Sequence, residues 1–406
     1  MNATVLGSVS LGYRPLWDRR RSLSAVQLLI EARPDTTVDA GHLLAALQEQ
    51  GDASTPPWLL SPNSPELLRD LLDQTSSSRH WIEVRGDWLQ APAISDRVQR
   101  AQRRGLRMVW RGEADLLPGG ALERCFFTHL LYLSPQAALS ALQAAARKRA
   151  GAQGALHSPV QAGQIYEGIA SRLLMEHCLD QQNAAALLGW PDEDILYALQ
   201  HKATGPDRQA VLQMIRAVDE DRSTEHIEAL LCAEPILTFR FLAYANSASV
   251  GLRNTIESVR HGLMMLGLQA LRRWLYEILP GASSDPNLRP VKASIVLRAK
   301  LMEHLMHAGA EQELSREIYL CGLFSQIDVL MGEPLGTALH RVPLSSRIYA
   351  ATLHGSGPYA PLLQIACALE NGHGTATRAL CHQLGMPLED VNRALLRTLA
   401  ALKLAV

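Results

Sequence analysis

The sequence predicts an α/β first half followed by an all-α second half, and three observations carry that expectation. "HWIEVRG" (80–86) and "LRMVW" (106–110) are short apolar runs rich in Val, Ile and Trp, bounded by turn residues, and they read as strands. Helical runs lie between and around them, and strand alternating with helix is the mark of an α/β layout. From "GPDRQAVLQ" (205–213) onward the strand signal fades, and helical runs separated by Gly, Pro or Asn succeed one another. The turn "HKATGPD" (201–207) is the expected boundary, giving domains at 1–203 and 204–406.

The elements are justified by their ends. "NSPELLRDLLDQ" (63–74) opens with Ser64 as N-cap, Pro65 at the first helical position and Glu66 behind it. "SPQAALSALQAAARKRA" (134–150) repeats that start with Ser134-Pro135 and ends basic, which suits the helix dipole. In the second half the expected helices span 207–220, 224–233, 235–246, 256–265, 268–279, 288–308, 311–331, 344–354, 359–371, 375–384 and 387–402. At 235–246 the proline costs no hydrogen bond, Glu234 sits at the positive end, and Ile236, Phe239 and Ala243 share one face. Asn246-Ser247 end it by binding nearby backbone groups.

Composition narrows the function classes. Of 406 residues 47 % are hydrophobic and 19 % charged, so the chain can bury full cores. Lys+Arg 39 against Asp+Glu 40 leaves a net charge of −1, without the basic excess of a protein that holds nucleic acid by its phosphates. The six cysteines are scattered with no CxxC, as expected of free thiols in a reducing cytoplasm. The first residues show no basic stretch followed by an apolar run, and no segment has the length of uncharged apolar chain that spans a bilayer. The expectation is a soluble, cytoplasmic protein with no membrane contact.

Residues 234–267, "EPILTFRFLAYANSASVGLRNTIESVRHGLMMLG", carry a more specific pattern. It resembles the opening of the HDOD domain, a bacterial signalling module related in fold to HD-type phosphohydrolases. That family reads roughly D-P-x-L-x-x-R-x-L-x-x-x-N-S-A, then I-x-S-V-x-x-A-I-x-x-L-G. Pro235, Leu237, Arg240, Leu242, Asn246, Ser247, Ala248, Ile256, Ser258, Val259, Leu266 and Gly267 match; Glu234 replaces Asp and Gly262 replaces Ala. The resemblance makes Pro235, Arg240, Asn246, Ser247 and Gly267 the structural or interaction motif of this half. HD-type enzymes hold divalent metal with a His-Asp dyad, and the metal makes a nucleophile of bound water. In "YLCGLFSQIDVLMG" (319–332) Ser325 and Gln326 stand in the dyad's place, and Asp328 is shifted two positions. The resemblance therefore implies an HD-like fold without HD chemistry, and this stretch is expected to be a buried scaffold helix. His304 and His307 in "EHLMH" (303–307) share a helix face beside Glu303 and Glu311, but no third metal ligand is evident.

In the first half, "GYRPLWDRRRSLSAVQLLIEAR" (12–33) resembles the start of an EAL domain, the barrel phosphodiesterase fold that hydrolyses cyclic di-GMP. Tyr13, Pro15, Asp18 and Leu29 fit its Y-Q-P-I … D … E-A-L-x-R pattern. The defining glutamate falls at Gln27 and the arginine at Glu31, so a carboxylate ligand is lost and a phosphate-attracting charge is reversed. "HWIEVRGDWL" (80–89) resembles a ligand-bearing strand, with Glu83 in the acidic place. "RRGLRMVWRGEADLL" (103–117) has Trp110-Arg111-Gly112 where a D-D-F-G loop belongs, and "CFFTHLLYL" (125–133) lacks the lysine of the strand that follows. In "IYEGIASRLLMEHCLDQQNAAALLGWPDEDI" (165–195) Glu167 fits the first glutamate, while Leu188 replaces a glutamine. Glu83 and Glu167 are thus the residual acidic positions of a degenerate EAL-like barrel, and no catalysis, metal or cofactor is expected. An EAL-like region followed by HDOD is the arrangement of YuxH-like signalling proteins.

The resemblances imply a non-enzymatic bacterial signal-transduction protein that acts as scaffold or adaptor towards other signalling proteins. The alternative is a sensor that binds cyclic di-GMP without cutting it. Two basic stretches stand apart. "RVQRAQRRGLR" (97–107) puts five arginines at helical spacing, a solvated face or a docking face, and "WDRRRS" (17–22) reads as an exposed turn.

Overall fold

A computed structural model describes residues 4–403 except 34, 35, 37, 51–53, 76–78, 150–156, 198–203, 249, 252–254, 307–310 and 373. The chain divides into two units, Met1–Asp194 with Cys367–Val406, and Ile195–Ala366.

In the first unit, β1 (Val9–Asp18), β2 (Leu23–Ala32), α1 (Ala40–Gln48), β3 (Trp58–Pro62), α2 (Pro65–Gln74), β4 (Trp81–Arg85), α3 (Pro92–Arg103), β5 (Met108–Glu113), β6 (Thr128–Tyr132), α4 (Pro135–Arg149), β7 (Ile165–Glu167), α5 (Arg172–Glu176), β8 (Ala186–Leu188) and α6 (Asp192–Tyr197) follow in order. The strands close into an eight-stranded barrel in sequence order. Strands β2 to β8 run parallel, and β1 is antiparallel to both its neighbours. Inside, Leu16, Ala25, Leu59, Val109, Leu130, Ile165, Ala186 and Leu188 form a buried apolar cluster. Ser64 accepts the amide of Leu67 as expected, and α2 buries Leu67, Leu68, Leu71 and Leu72.

The "WDRRRS" turn is not simply exposed. Asp18 Oδ1 accepts the amides of Arg20 and Ser22, and Arg21 turns back with φ 60° to pair with Asp180 through both nitrogens at 2.6 Å. Its side chain is 7 % exposed. The arginine stretch 97–107 also differs from expectation. Helix α3 ends at Arg103, so Arg107 lies outside it, stacked on Phe127 at 6.0 Å. Arg97 pairs with Asp73 at 2.9 Å, and Arg104 donates to the carbonyls of Leu72 and Asp73, the last turn of α2. Two of the five charges are therefore structural.

The second unit is helical. After α7 (Arg208–Asp219), α8 (Thr224–Cys232), α9 (Pro235–Ala245) and α10 (Val259–Ile278) come α11 (Leu288–Leu305), α12 (Gln312–Phe324), α13 (Ile327–Met331), α14 (Leu335–Leu339), α15 (Ser346–His354) and α16 (Ala360–Asn371). The helix expected at 311–331 is two, broken at Ser325-Gln326, and α14 was not foreseen. Helix α12 buries Ile318, Leu320, Cys321, Gly322, Leu323 and Phe324. A Cβ on Gly322 would lie 2.6 Å from the Cα of Ala299 in α11, so this glycine sets how closely the two helices approach. Gly322→Ala is expected to cost about 1–3 kcal/mol through overpacking. Hydrogen exchange of the α11 and α12 amides along a urea series, read by peptide mass spectrometry, checks it.

The chain returns to the barrel unit within α16, at Cys367, and continues as α17 (Gly374–Leu384) and α18 (Leu388–Ala400). Residues 367–406 were expected with the helical half, and the reason for the difference is local. Strand β8 covers β1 only at Leu16–Asp18, leaving the earlier part of β1 without a strand on that side. Asn392 of α18, fully buried, supplies the missing partner. Its Oδ1 accepts the amide of Leu11, and its Nδ2 donates to the carbonyls of Leu6 and Val9 at 2.7 and 2.8 Å.

Candidate functional site

The barrel's side-chain period builds the site. Alternate residues of each strand point inward, and the apolar cluster includes Ala25, Leu59, Val109 and Ile165. Two positions further along the same strands stand Gln27, Ser61, Arg111 and Glu167, and Glu83 of β4 joins them. A polar layer thus sits on the apolar one, at the end of the barrel where the parallel strands finish.

In this layer the guanidinium of Arg111 bridges the two residual carboxylates. Its Nη1 donates to Glu83 Oε1 at 3.0 Å, and its Nε and Nη2 donate to the two oxygens of Glu167 at 2.8 and 2.9 Å. The second pair is the bidentate fork that gives arginine–carboxylate pairs their strength and direction. The other oxygen of Glu83 accepts from Gln27 Nε2 at 2.7 Å and Ser61 Oγ at 2.5 Å. Arg14 adds a contact to Glu167 at 3.4 Å. Glu83 is 2 % exposed, Glu167 11 % and Arg111 28 %. Burial disfavours the charged guanidinium, but the attraction of Glu83 and Glu167 outweighs it, and the pKa of Arg111 is raised.

These residues do not fit the metal that the EAL resemblance would bring. A divalent ion needs free oxygen ligands with negative charge. Both carboxylates already serve a built-in cation, and Gln27 and Ser61 are neutral. The Oε1 of Gln27, buried and without a hydrogen-bond partner, is the one oxygen of the layer left over. Among the described residues no group of three His, Cys, Asp or Glu side chains is arranged to hold a metal ion.

The sequence pointed to Glu83 and Glu167, and the structure brings them together. It did not single out Arg111 or Arg14. The signal for Arg111 lay just out of reach: it stands two residues after Val109, on the inward face of β5, but one residue past the run 106–110 that reads as a strand. Beside the layer opens a cleft of about 710 Å³, lined among others by Arg85, Trp110, Tyr132 and Leu116. Glu31, the reversed charge at the arginine position of the EAL pattern, is paired by Arg378 of α17 at 2.5 Å.

In the helical unit the motif residues act on backbone. Glu234 caps α9 by accepting the amide of Leu237, Pro235 follows at its first position, and Lys292 pairs with Glu234 at 2.5 Å in a buried contact. Asn246 donates to the carbonyls of Leu242 and Ile256 and accepts the amide of Ile256, closing the corner after α9. The amide of Ser247 donates to the carbonyl of Tyr244. Arg240 donates to the carbonyl of Thr204 at 3.1 Å; burial lowers its pKa, opposed by Glu234. Gly267 kinks α10 at φ 73°, ψ 163°, a conformation that side-chain-bearing residues avoid. Ser325 donates to the carbonyl of Gly322 at 2.8 Å and accepts from the buried Arg298 at 3.4 Å. His307 lies outside the described residues.

Fold and site define a two-unit protein: an eight-stranded barrel with an arginine between its inward carboxylates, and a helical module carrying the Glu234–Gly267 motif. Residues 206–333 match the HDOD domain model, and this segment is an HDOD domain. The chain is similar to the uncharacterized protein YuxH of Bacillus subtilis, 28 % identical over 169 residues, covering 40 % of this chain and 39 % of YuxH. It is also similar to the cyclic di-GMP phosphodiesterase CdgJ of Vibrio cholerae, 24 % identical over 202 residues, covering 49 % of this chain and 46 % of CdgJ. Both alignments span less than half of the relative's length. Among solved structures, the MmoQ response regulator of Methylococcus capsulatus matches with a TM-score of 0.38 and 16 % identity, covering 48 % of this chain and 99 % of that one. Klebsiella pneumoniae BlrP1 in a manganese/cy-diGMP complex matches with a TM-score of 0.29 and 11 % identity, covering 45 % and 55 %. At these TM-scores nothing about site or ligand follows from either. No helix among the described residues is long and apolar enough to cross a membrane.

Proposed function

We propose that this chain is a non-enzymatic signal-transduction protein of the cytoplasm, an adaptor that works by binding other signalling proteins through its HDOD domain, with a catalytically silent EAL-like barrel. One observation carries the reading: the guanidinium of Arg111 lies between Glu83 and Glu167, where hydrolysis would require metal. A fixed organic cation can neutralise those carboxylates, but it cannot lower the pKa of a bound water as a divalent ion does. CdgJ carries the name of a phosphodiesterase, so activity is the reading to test against. Purified protein is incubated with cyclic di-GMP and Mn²⁺ or Mg²⁺, and the linear product is sought by chromatography. None is expected; steady product formation that ends with Glu83→Gln would overturn the proposal.

The second reading, a cyclic di-GMP sensor, draws on the open cleft beside the polar layer, where Arg85 and the exposed Tyr132 offer a cation and an aromatic surface. Calorimetry with the nucleotide separates the two readings, since a sensor releases heat without forming product.

A further inference from the structure

Helix α17 differs from its neighbour α18 in how it is held. Helix α18 buries Val391, Asn392, Ala394, Leu395, Leu396, Thr398 and Leu399, and so belongs to the core of the barrel unit. Among its described residues α17 buries Gly374, Thr377 and Cys381 alone. Its hold on the strands is polar. Arg378 donates to Glu31 at 2.5 Å and to Ser10 Oγ at 3.1 Å, and Thr375 donates to Glu31 at 2.9 Å.

The chain on either side of α17 is built to turn. Gly372 has φ 68° and Gly385 φ 66°, both in the left-handed region that glycine enters without strain. The approach to the barrel is also close: a Cβ on Gly374 would lie 2.4 Å from Glu31 Oε2, and one on Gly372 would lie 2.3 Å from Leu29 Cδ1.

What lies beneath is the polar layer. Gly372 and Gly374 line a small cavity of about 190 Å³ whose other walls include Ser61, Glu83 and Arg111. Arg85 and Arg111 also border the larger open cleft, so these arginines stand between the two spaces.

We propose that α17 is a latch over the β1–β2 side of the barrel mouth, held shut by Arg378 on Glu31 and lifting on its two flanking glycines while α18 stays anchored by Asn392. With the latch shut, Ser61 and Glu83 face the small cavity under α17; with it open, that cavity is laid open to solvent. The sequence resemblance read Glu31 as a reversed charge facing a phosphate. As a latch residue it has a different task, which needs no nucleotide and does not depend on the adaptor reading.

The helix carries its own reporter. Cys381 lies on its buried side, 3 % exposed, and burial pushes its thiol pKa up to about 11. The test is maleimide labelling of the full chain, with each thiol followed by peptide mass spectrometry. A second reporter, Ser61→Cys, places a thiol in the wall of the small cavity. Glu31→Gln is expected to raise the labelling rate of Cys381, and of residue 61 in the Ser61→Cys background, at least tenfold. Cys178, in the barrel's own core, should keep its parent rate. If either reporter stays at its parent rate, the latch is overturned. It is equally overturned if Cys178 accelerates with them, because the substitution has then loosened the whole barrel. Product formation in the cyclic di-GMP assay bears on the adaptor reading and leaves this result as it stands.

Discussion

Arg111→Met is expected to destabilise the barrel unit by about 3 kcal/mol, with most of that recovered when Glu83→Gln and Glu167→Gln are added. The substitution keeps an unbranched, flexible stem, about two atoms shorter, and removes the charge. It leaves Glu83, 2 % exposed, without its cation, and Glu167, 11 % exposed, with Arg14 at 3.4 Å alone. Breaking a buried ion pair by removing one partner costs roughly 3–5 kcal/mol, mainly because the remaining charge stays desolvated. The 28 % exposure of Arg111 argues for the lower end of that range. Neutralising the carboxylates removes the cause of the penalty, so the triple variant should approach the parent. Urea unfolding followed by tryptophan emission reports on the right unit: Trp17, Trp58, Trp81, Trp88, Trp110 and Trp190 all lie in the barrel unit, and Trp274 alone does not. A triple variant no more stable than Arg111→Met would show that the bridge is incidental to the layer.

The second large effect is expected at the far end of the chain. Asn392→Leu has similar bulk but cannot replace the three bonds of the amide. The amide of Leu11 and the carbonyls of Leu6 and Val9 would each lose the partner seen here. Leaving a buried backbone group unpaired costs about 1–3 kcal/mol. Water reaching the edge of β1 would reduce the total, so a loss of roughly 3–5 kcal/mol is expected. The same tryptophan-detected unfolding measures it. A loss below about 1 kcal/mol would mean that α18 rests on β1 without completing it.

That bond also marks the limit of what the sequence could tell. Leu11 and Asn392 are 381 residues apart, and no local pattern links them. The division at 203/204 followed the fading strand signal and the turn at 201–207, whereas the barrel unit draws on both ends of the chain. Among the strands, β4 and β5 were legible because Ile82, Val84, Met108 and Val109 are apolar residues between clear turns. Strand β2 was not, since "LSAVQLLIEA" is apolar along much of its length and reads equally as a buried helix. Strands β7 and β8, three residues each, are too short to show a period.

The site divides in the same way. Glu83 and Glu167 were found because their neighbours resemble a known family. Arg111 stood in the sequence only as part of Trp110-Arg111-Gly112, in place of a metal-binding loop, and its role appears only when Val109 is known to face inward. In the helical unit the ends of α9 and the glycine of α10 were visible as caps and breaks. The break between α12 and α13 was hidden because Ser325 and Gln326 lie inside a continuous apolar run.

Mn²⁺ titration followed by electron paramagnetic resonance tests most directly the proposal that Arg111 serves Glu83 and Glu167 in place of a metal ion. The wild-type protein is expected to leave the Mn²⁺ signal free well into the millimolar range, and Arg111→Ala to take up Mn²⁺ at a site lost again with Glu83→Gln. A wild-type protein that binds Mn²⁺ at micromolar concentration, and loses it with Glu83→Gln, would contradict the account.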